Sequence, residues 1–154
     1  MSIKHPKLTL AQYILRRTGL PLGSPGLLRS MLNRSFLARS PRDFWKYWNP
    51  IFGYYLGRYI YGPLKKIMPA SLALILTFLF SGLIHDLATI IVKGSTRFLF
   101  TTWFLFLGTG VLWGGVVNVD LSQRSRVARI IFNLMYIIFS FALAYTLIIT
   151  LGSI

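Results

Sequence analysis

Three long apolar runs, residues 69–92, 98–119 and 130–154, decide what this chain can become. Each matches the ~20 residues that a helix needs to cross a ~30 Å hydrocarbon core. The first is interrupted only by His85 and Asp86; the other two carry no charge. A soluble domain of 154 residues could bury one such helix but not three. The expected fold class is therefore an all-α integral membrane protein with about three transmembrane helices. Basic and aromatic amphipathic interfacial helices are expected to precede them, dividing the chain into a basic arm (1–39), an aromatic segment (40–66) and a three-span domain (67–154).

Charge supports this division. Only 13% of residues are charged, about half the ~25% of ordinary soluble domains. The balance is one-sided, at 17 Lys+Arg against 3 Asp+Glu, a net +14. Twelve of the 17 cations precede residue 67, against one acid, Asp43. Lys65 and Lys66 stand before the first run, and Arg124, Arg126 and Arg129 separate the second and third, while Lys93 and Arg97 lie between the first and second. The positive-inside rule predicts that the N-terminal region and the 122–129 loop share the cytoplasmic, matrix or stromal side. Plasma (bacterial inner), inner mitochondrial and thylakoid membranes fit equally. The three loop arginines read as orientation charges and contacts to lipid headgroup phosphates. Within 26–37, apolar pairs (Leu27, Leu28; Met31, Leu32) alternate with Arg29, Ser30, Asn33 and Arg34, a helical period with a basic face. Membrane lipids or a partner protein could take that face. The membrane accounts for the basic excess, so no nucleic acid is expected.

The stock of reactive groups is small. Cysteine is absent, which excludes disulfides, zinc-thiolate sites, iron–sulfur clusters and thiol nucleophiles. No metal site and no bound cofactor are expected. Two histidines and three aspartates are the ordinary acid–base groups.

The aromatic segment carries nine aromatic residues between Phe44 and Tyr61. Ser40 suits an N-cap, Pro41 the first helical position and Asp43 the place of a capping-box acid. Pro50 forces a stop or kink at Asn49, and Asn49-Pro50 opens a second helix, 51–61, expected to end at Gly62-Pro63. An interfacial aromatic belt explains most of these rings, but not an asparagine at the break.

In the first run Thr77, Ser81, His85 and Thr89 recur every four residues and form one polar stripe. His85 lies about 22 Å along the helix from Ala70. An ionisable side chain at such depth is a functional candidate; the plainer alternative is a neutral histidine bonded to a neighbouring helix. Asp86 points about 100° away, toward Lys93 or an adjacent helix, so a His–Asp dyad is not expected. A neutral imidazole can take the proton of a hydroxyl that attacks a thioester, help worth about 10²–10⁴-fold.

Taken together, Asp43-Phe44-Trp45-Lys46-Tyr47-Trp48-Asn49, Tyr61-Gly62-Pro63 and Phe78-Leu79-Phe80-Ser81-Gly82-Leu83-Ile84-His85-Asp86 resemble the core of the membrane-bound O-acyltransferases. The likeness is nearest to the wax synthase and sterol or diacylglycerol acyltransferase branch, and covers residues 39–90. It implies His85 as the catalytic base and Asn49 as the second signature residue, positioning acyl donor or acceptor. It also implies Trp45, Trp48 and Ser81 as substrate-binding residues and acyl-CoA as co-substrate. Family members normally have eight or more spans around a buried tunnel. With three spans, this chain is expected to act as a homo-oligomer or with other membrane subunits. The competing expectation is an inactive accessory subunit that packs on a large membrane assembly and binds lipids.

Two small-residue patterns, Gly53-x-x-x-Gly57 and Gly110-x-x-x-Gly114, have the spacing of close helix contacts. Gly108, Gly110, Gly114 and Gly115 mark the second run as a packing helix, with Trp103 and Trp113 as anchors or core.

Overall fold

The computed structural model describes residues 8–151, so Lys4, Lys7 and the last three residues of the third run lie outside the described residues. The described chain is all helical. Five short helices come first: α1 (Leu10–Thr18), α2 (Leu27–Phe36), α3 (Pro41–Tyr47), α4 (Pro50–Leu56) and α5 (Gly62–Ile67), with a π-helical turn, Gly57–Tyr61, joining α4 to α5. Three helices long and apolar enough to span a membrane follow: α6 (Ala70–Lys93), α7 (Leu99–Val116) and α8 (Arg126–Leu151).

Local chemistry sets most boundaries. Ser40 caps α3 by accepting the Asp43 N–H at 3.2 Å. Asp43 is no capping-box acid: its carboxylate pairs with Lys46 at 2.5 Å. Asn49 caps α4, accepting the Phe52 N–H at 3.2 Å from a left-handed conformation (φ 40°) that asparagine tolerates well. The expected stop at Gly62-Pro63 does not occur. The Gly62 N–H bonds the Gly57 carbonyl across the wide turn, and the helix continues to Ile67. A π turn makes room for Pro63, which has no N–H to give and whose ring crowds a regular α turn. Helix α7 stops at Val116 rather than Val119. Asn118 turns left-handed (φ 51°), and the Val119 N–H returns to the Gly114 carbonyl at 2.8 Å, a Schellman ending. Helix α8 starts four residues before the expected 130, because Ser125 accepts the Ala128 N–H.

Helix α7 is the hub, packed on α6 and on α8, with α3 laid across its end. Its glycines are seats for larger groups. A Cβ on Gly108 would lie 3.0 Å from Phe78, on Gly110 2.5 Å from Tyr136, and on Gly114 3.3 Å from Pro41. Gly53 and Gly57 are different: a Cβ on Gly57 meets nothing within 4 Å, so this pair is not the close helix contact its spacing suggested. Phe44, fully buried, stacks on Trp48 at 5.4 Å and edges Phe36 and Trp45, so the start of the aromatic segment is core rather than belt. Tyr55 and Tyr59 remain exposed.

Candidate active site

Helices α3, α4, α6 and α7 and the π turn line an open cavity of about 260 Å³. Its walls include Trp45, Trp48, Asn49, Ser81 and His85, five residues singled out from the sequence. Asn49 and His85, which sequence position alone separates into interface and membrane interior, thus face one space. The π turn after α4 packs on α6, and Phe52 of α4 reaches the imidazole edge-on at 6.1 Å.

His85 is held from several directions. Its Nδ1 lies 2.7 Å from the Ser81 carbonyl oxygen, one turn earlier. A carbonyl has no proton to give, so in this contact Nδ1–H is the donor, and whenever the ring is neutral its lone pair is on Nε2. Phe104 stacks on the imidazole at 5.0 Å, Phe100 lies at 5.6 Å and Phe52 meets it edge-on at 6.1 Å. The polar stripe is real but largely self-satisfied: Thr77 donates to the Ala73 carbonyl and Thr89 to that of His85.

Asp86 explains how the aromatic walls are fixed. Its buried carboxylate accepts from the N–H groups of Phe100 (3.3 Å) and Thr101 (2.7 Å) and from the hydroxyls of Thr101 (2.6 Å) and Thr96 (2.8 Å). It therefore caps α7 from another helix, and the partner is the adjacent helix, not Lys93. Gly82, one turn before, permits the approach: a Cβ there would stand 2.6 Å from the Thr101 Cα and 2.8 Å from the Phe100 oxygen. In Ser81-Gly82-x-x-His85-Asp86, each named residue has a geometric task. Ser81 orients the ring through its carbonyl, Gly82 admits α7, and Asp86 sets the register that brings Phe100 and Phe104 onto His85.

The other expected site residues are placed as follows. The Trp45 ring lines the cavity, but its Nε1–H donates to the Tyr136 hydroxyl at 3.1 Å, which donates to the Leu107 carbonyl at 2.5 Å. Trp45 thus offers a substrate its ring face and no hydrogen bond. Asn49 uses Oδ1 for its cap, and its Nδ2 has no partner among the described residues. Arg129 donates through Nε to the carbonyls of Leu121 and Arg124 and through Nη2 to that of Ser122, tying the α7–α8 loop to the start of α8. Arg124 and Arg126 are exposed in that loop region. Beside them the Asp120 carboxyl is held below its usual pKa by the Ser122 N–H and hydroxyl, with help from the nearby Arg39 and Arg129 charges.

Sequence reasoning missed Phe52, Phe100, Phe104 and Tyr136. Phe100 and Phe104 are one turn apart on α7, and Phe52 is the residue that Asn49 caps, so spacing gave a faint signal. Nothing in the sequence tied α7 to His85.

The architecture and cavity define an all-helical integral membrane protein with three candidate spans and an imidazole set among aromatic rings. The sequence model of the membrane-bound O-acyltransferase (MBOAT) family matches residues 25–151, most of the chain. The protein belongs to the MBOAT family. No curated protein and no solved structure matches it.

Proposed function

We propose that this protein transfers an acyl group from acyl-CoA to the hydroxyl of a lipid-like alcohol, with His85 as general base. Within the family, its motifs favour the wax synthase and sterol or diacylglycerol acyltransferase branch. The observation that carries the reading is the 2.7 Å contact of His85 Nδ1 with the Ser81 carbonyl, which in the neutral ring leaves Nε2 as the basic atom of a residue lining the cavity. Nε2 accepts the alcohol proton as the alcohol oxygen bonds to the thioester carbon. The carbonyl becomes an oxyanion, for which the Nδ2–H of Asn49 is an available donor. Collapse restores the carbonyl, breaks the C–S bond, and the departing thiolate takes the proton back from Nε2. Phe52, Phe100 and Phe104 keep water from competing with the alcohol, while Trp45 and Trp48 give the acyl chain apolar walls.

A cavity of 260 Å³ is at the small end for a ligand site, so a second copy or another membrane subunit completes the enclosure of a long chain. The N-terminal side faces the cytoplasm or its organellar equivalent, the side on which acyl-CoA is supplied.

Purified protein with labelled acyl-CoA and a panel of long-chain alcohols tests this directly. His85→Ala is expected to lower turnover by about 10²–10⁴. Asn49→Asp keeps an acceptor for the cap but loses the donor, and is expected to lower kcat while leaving thermal stability nearly unchanged. Absence of ester in the wild type, across donors and acceptors, would leave an accessory, lipid-binding role in a larger assembly.

A further inference from the structure

Among the described residues, α8 lines no part of the His85 cavity. One of its side chains nevertheless holds a cavity wall from behind. The Tyr136 hydroxyl accepts the Trp45 indole N–H at 3.1 Å and donates to the Leu107 carbonyl at 2.5 Å. The direction of this relay is fixed by its ends. An indole nitrogen can only donate and a carbonyl oxygen can only accept, so the phenol between them both accepts and donates. Gly110 makes the reach possible, since a Cβ there would lie 2.5 Å from Tyr136 Cε2. Three elements, α3, α7 and α8, thus meet at one hydroxyl.

What Trp45 shows to the cavity depends on this bond. Its ring meets Phe78 edge-on at 5.2 Å and lies 6.0 Å from Phe104, which stacks on His85 at 5.0 Å. All four rings line the cavity. With its N–H spent on Tyr136, the indole adds a purely apolar surface to this set. Without that acceptor the N–H is a donor with no partner, a state that costs free energy away from water. The open cavity is where water or a ligand hydroxyl would supply one.

We propose that Tyr136 is a specificity-determining positioning residue. By holding the Trp45 N–H out of the cavity, it makes this wall select an unbroken hydrocarbon chain over one that carries hydroxyl groups. That the selected chain is a substrate rests on the acyl-transfer reading. That the wall selects it rests only on the bridge and the cavity.

The test measures binding and turnover side by side, on the full chain in neutral detergent. The ligands are a radiolabelled long-chain alcohol and a series of the same alcohol with one additional hydroxyl at successive chain positions. In the wild type the additional hydroxyl is expected to weaken binding at the positions that rest on Trp45, because it meets no partner there. Tyr136→Phe should reduce that discrimination about three- to tenfold, the scale of one hydrogen bond gained by the ligand. Trp45→benzothienylalanine keeps the ring shape and replaces the N–H by sulfur. In that background the discrimination should persist whether residue 136 is Tyr or Phe. Unchanged discrimination in Tyr136→Phe, or the same fall with benzothienylalanine in place, overturns the proposal. If Tyr136→Phe does not fold, the wild-type indole N–H decides by NMR. Its resonance should respond alike to the plain and the hydroxylated alcohols, and a shift given by the hydroxylated ones alone overturns the proposal. Ester formation separates the two readings. Selective binding without ester refutes only the acyl transfer, while ester formation with unaltered selectivity in Tyr136→Phe refutes only the role of Tyr136.

Discussion

Replacing Asp86 by alanine tests whether a carboxylate on one membrane helix organises the start of the next. The wild-type carboxylate accepts four hydrogen bonds, two from backbone N–H groups and two from hydroxyls. The threonine hydroxyls can rotate toward nearby carbonyls. The N–H groups of Phe100 and Thr101 have no such freedom, being the second and third positions of α7, where no intrahelical acceptor exists. Each buried N–H left unpaired costs about 1–3 kcal/mol. Loss of a negative charge at the helix N-terminus removes a further ~0.3–1 kcal/mol. Asp86→Ala is therefore expected to destabilise by about 3–5 kcal/mol. Asp86→Asn, which keeps one acceptor oxygen but turns an N–H₂ group toward donors, should lose about half as much. Thermal unfolding in detergent gives the global number. Amide hydrogen exchange gives the location: protection should fall at Phe100 and Thr101 by about tenfold for each 1.4 kcal/mol, and remain at mid-α8. An Asp86→Ala protein with unchanged unfolding temperature and unchanged exchange at those two amides would refute the cap, and with it the account of how Phe100 and Phe104 reach His85.

Gly82→Ala places a Cβ 2.6 Å from backbone of α7; because backbone cannot rotate aside, a loss of about 1–3 kcal/mol is expected on thermal unfolding, and a neutral substitution would show that α6 and α7 pack less closely. Tyr136→Phe removes the acceptor of the Trp45 indole and the donor to Leu107. It should cost about 1–3 kcal/mol for the indole N–H left without a partner and shift tryptophan emission, with no effect if the bridge is absent. Asp120 has a folded pKa below its ordinary 3.8. Its support of the α7–α8 loop is thus complete above that value and lost as pH falls through the lower folded value. Faster Ser122 amide exchange, after correction for intrinsic rates, should appear only in strongly acidic solution, and Asp120→Asn should abolish that dependence.

The sequence by itself determined the membrane class. Three apolar runs too long and too many to bury in a chain this size leave no soluble alternative, and that is a matter of composition along the chain. It also marked His85 and Asn49, because an imidazole in a hydrophobic helix and an asparagine before proline are each costly or conspicuous on local grounds. Capping chemistry predicted the starts of α3 and α4 for the same reason: caps act within three residues. What failed locally was Gly62-Pro63, where a π turn relieves the proline that a regular helix would reject. The tertiary structure decided everything that depends on separate segments meeting. It put Asn49 and His85 on one cavity, sent Asp86 to the N-terminus of α7 instead of to Lys93, and turned Phe100 and Phe104 onto the imidazole. It tied Arg129 to the carbonyls of the α7–α8 loop, and left Gly57 without the close helix contact its spacing suggested. Periodicity tells which residues share a face, but not what that face meets, because the partner is chosen by the packing of helices far apart in the chain.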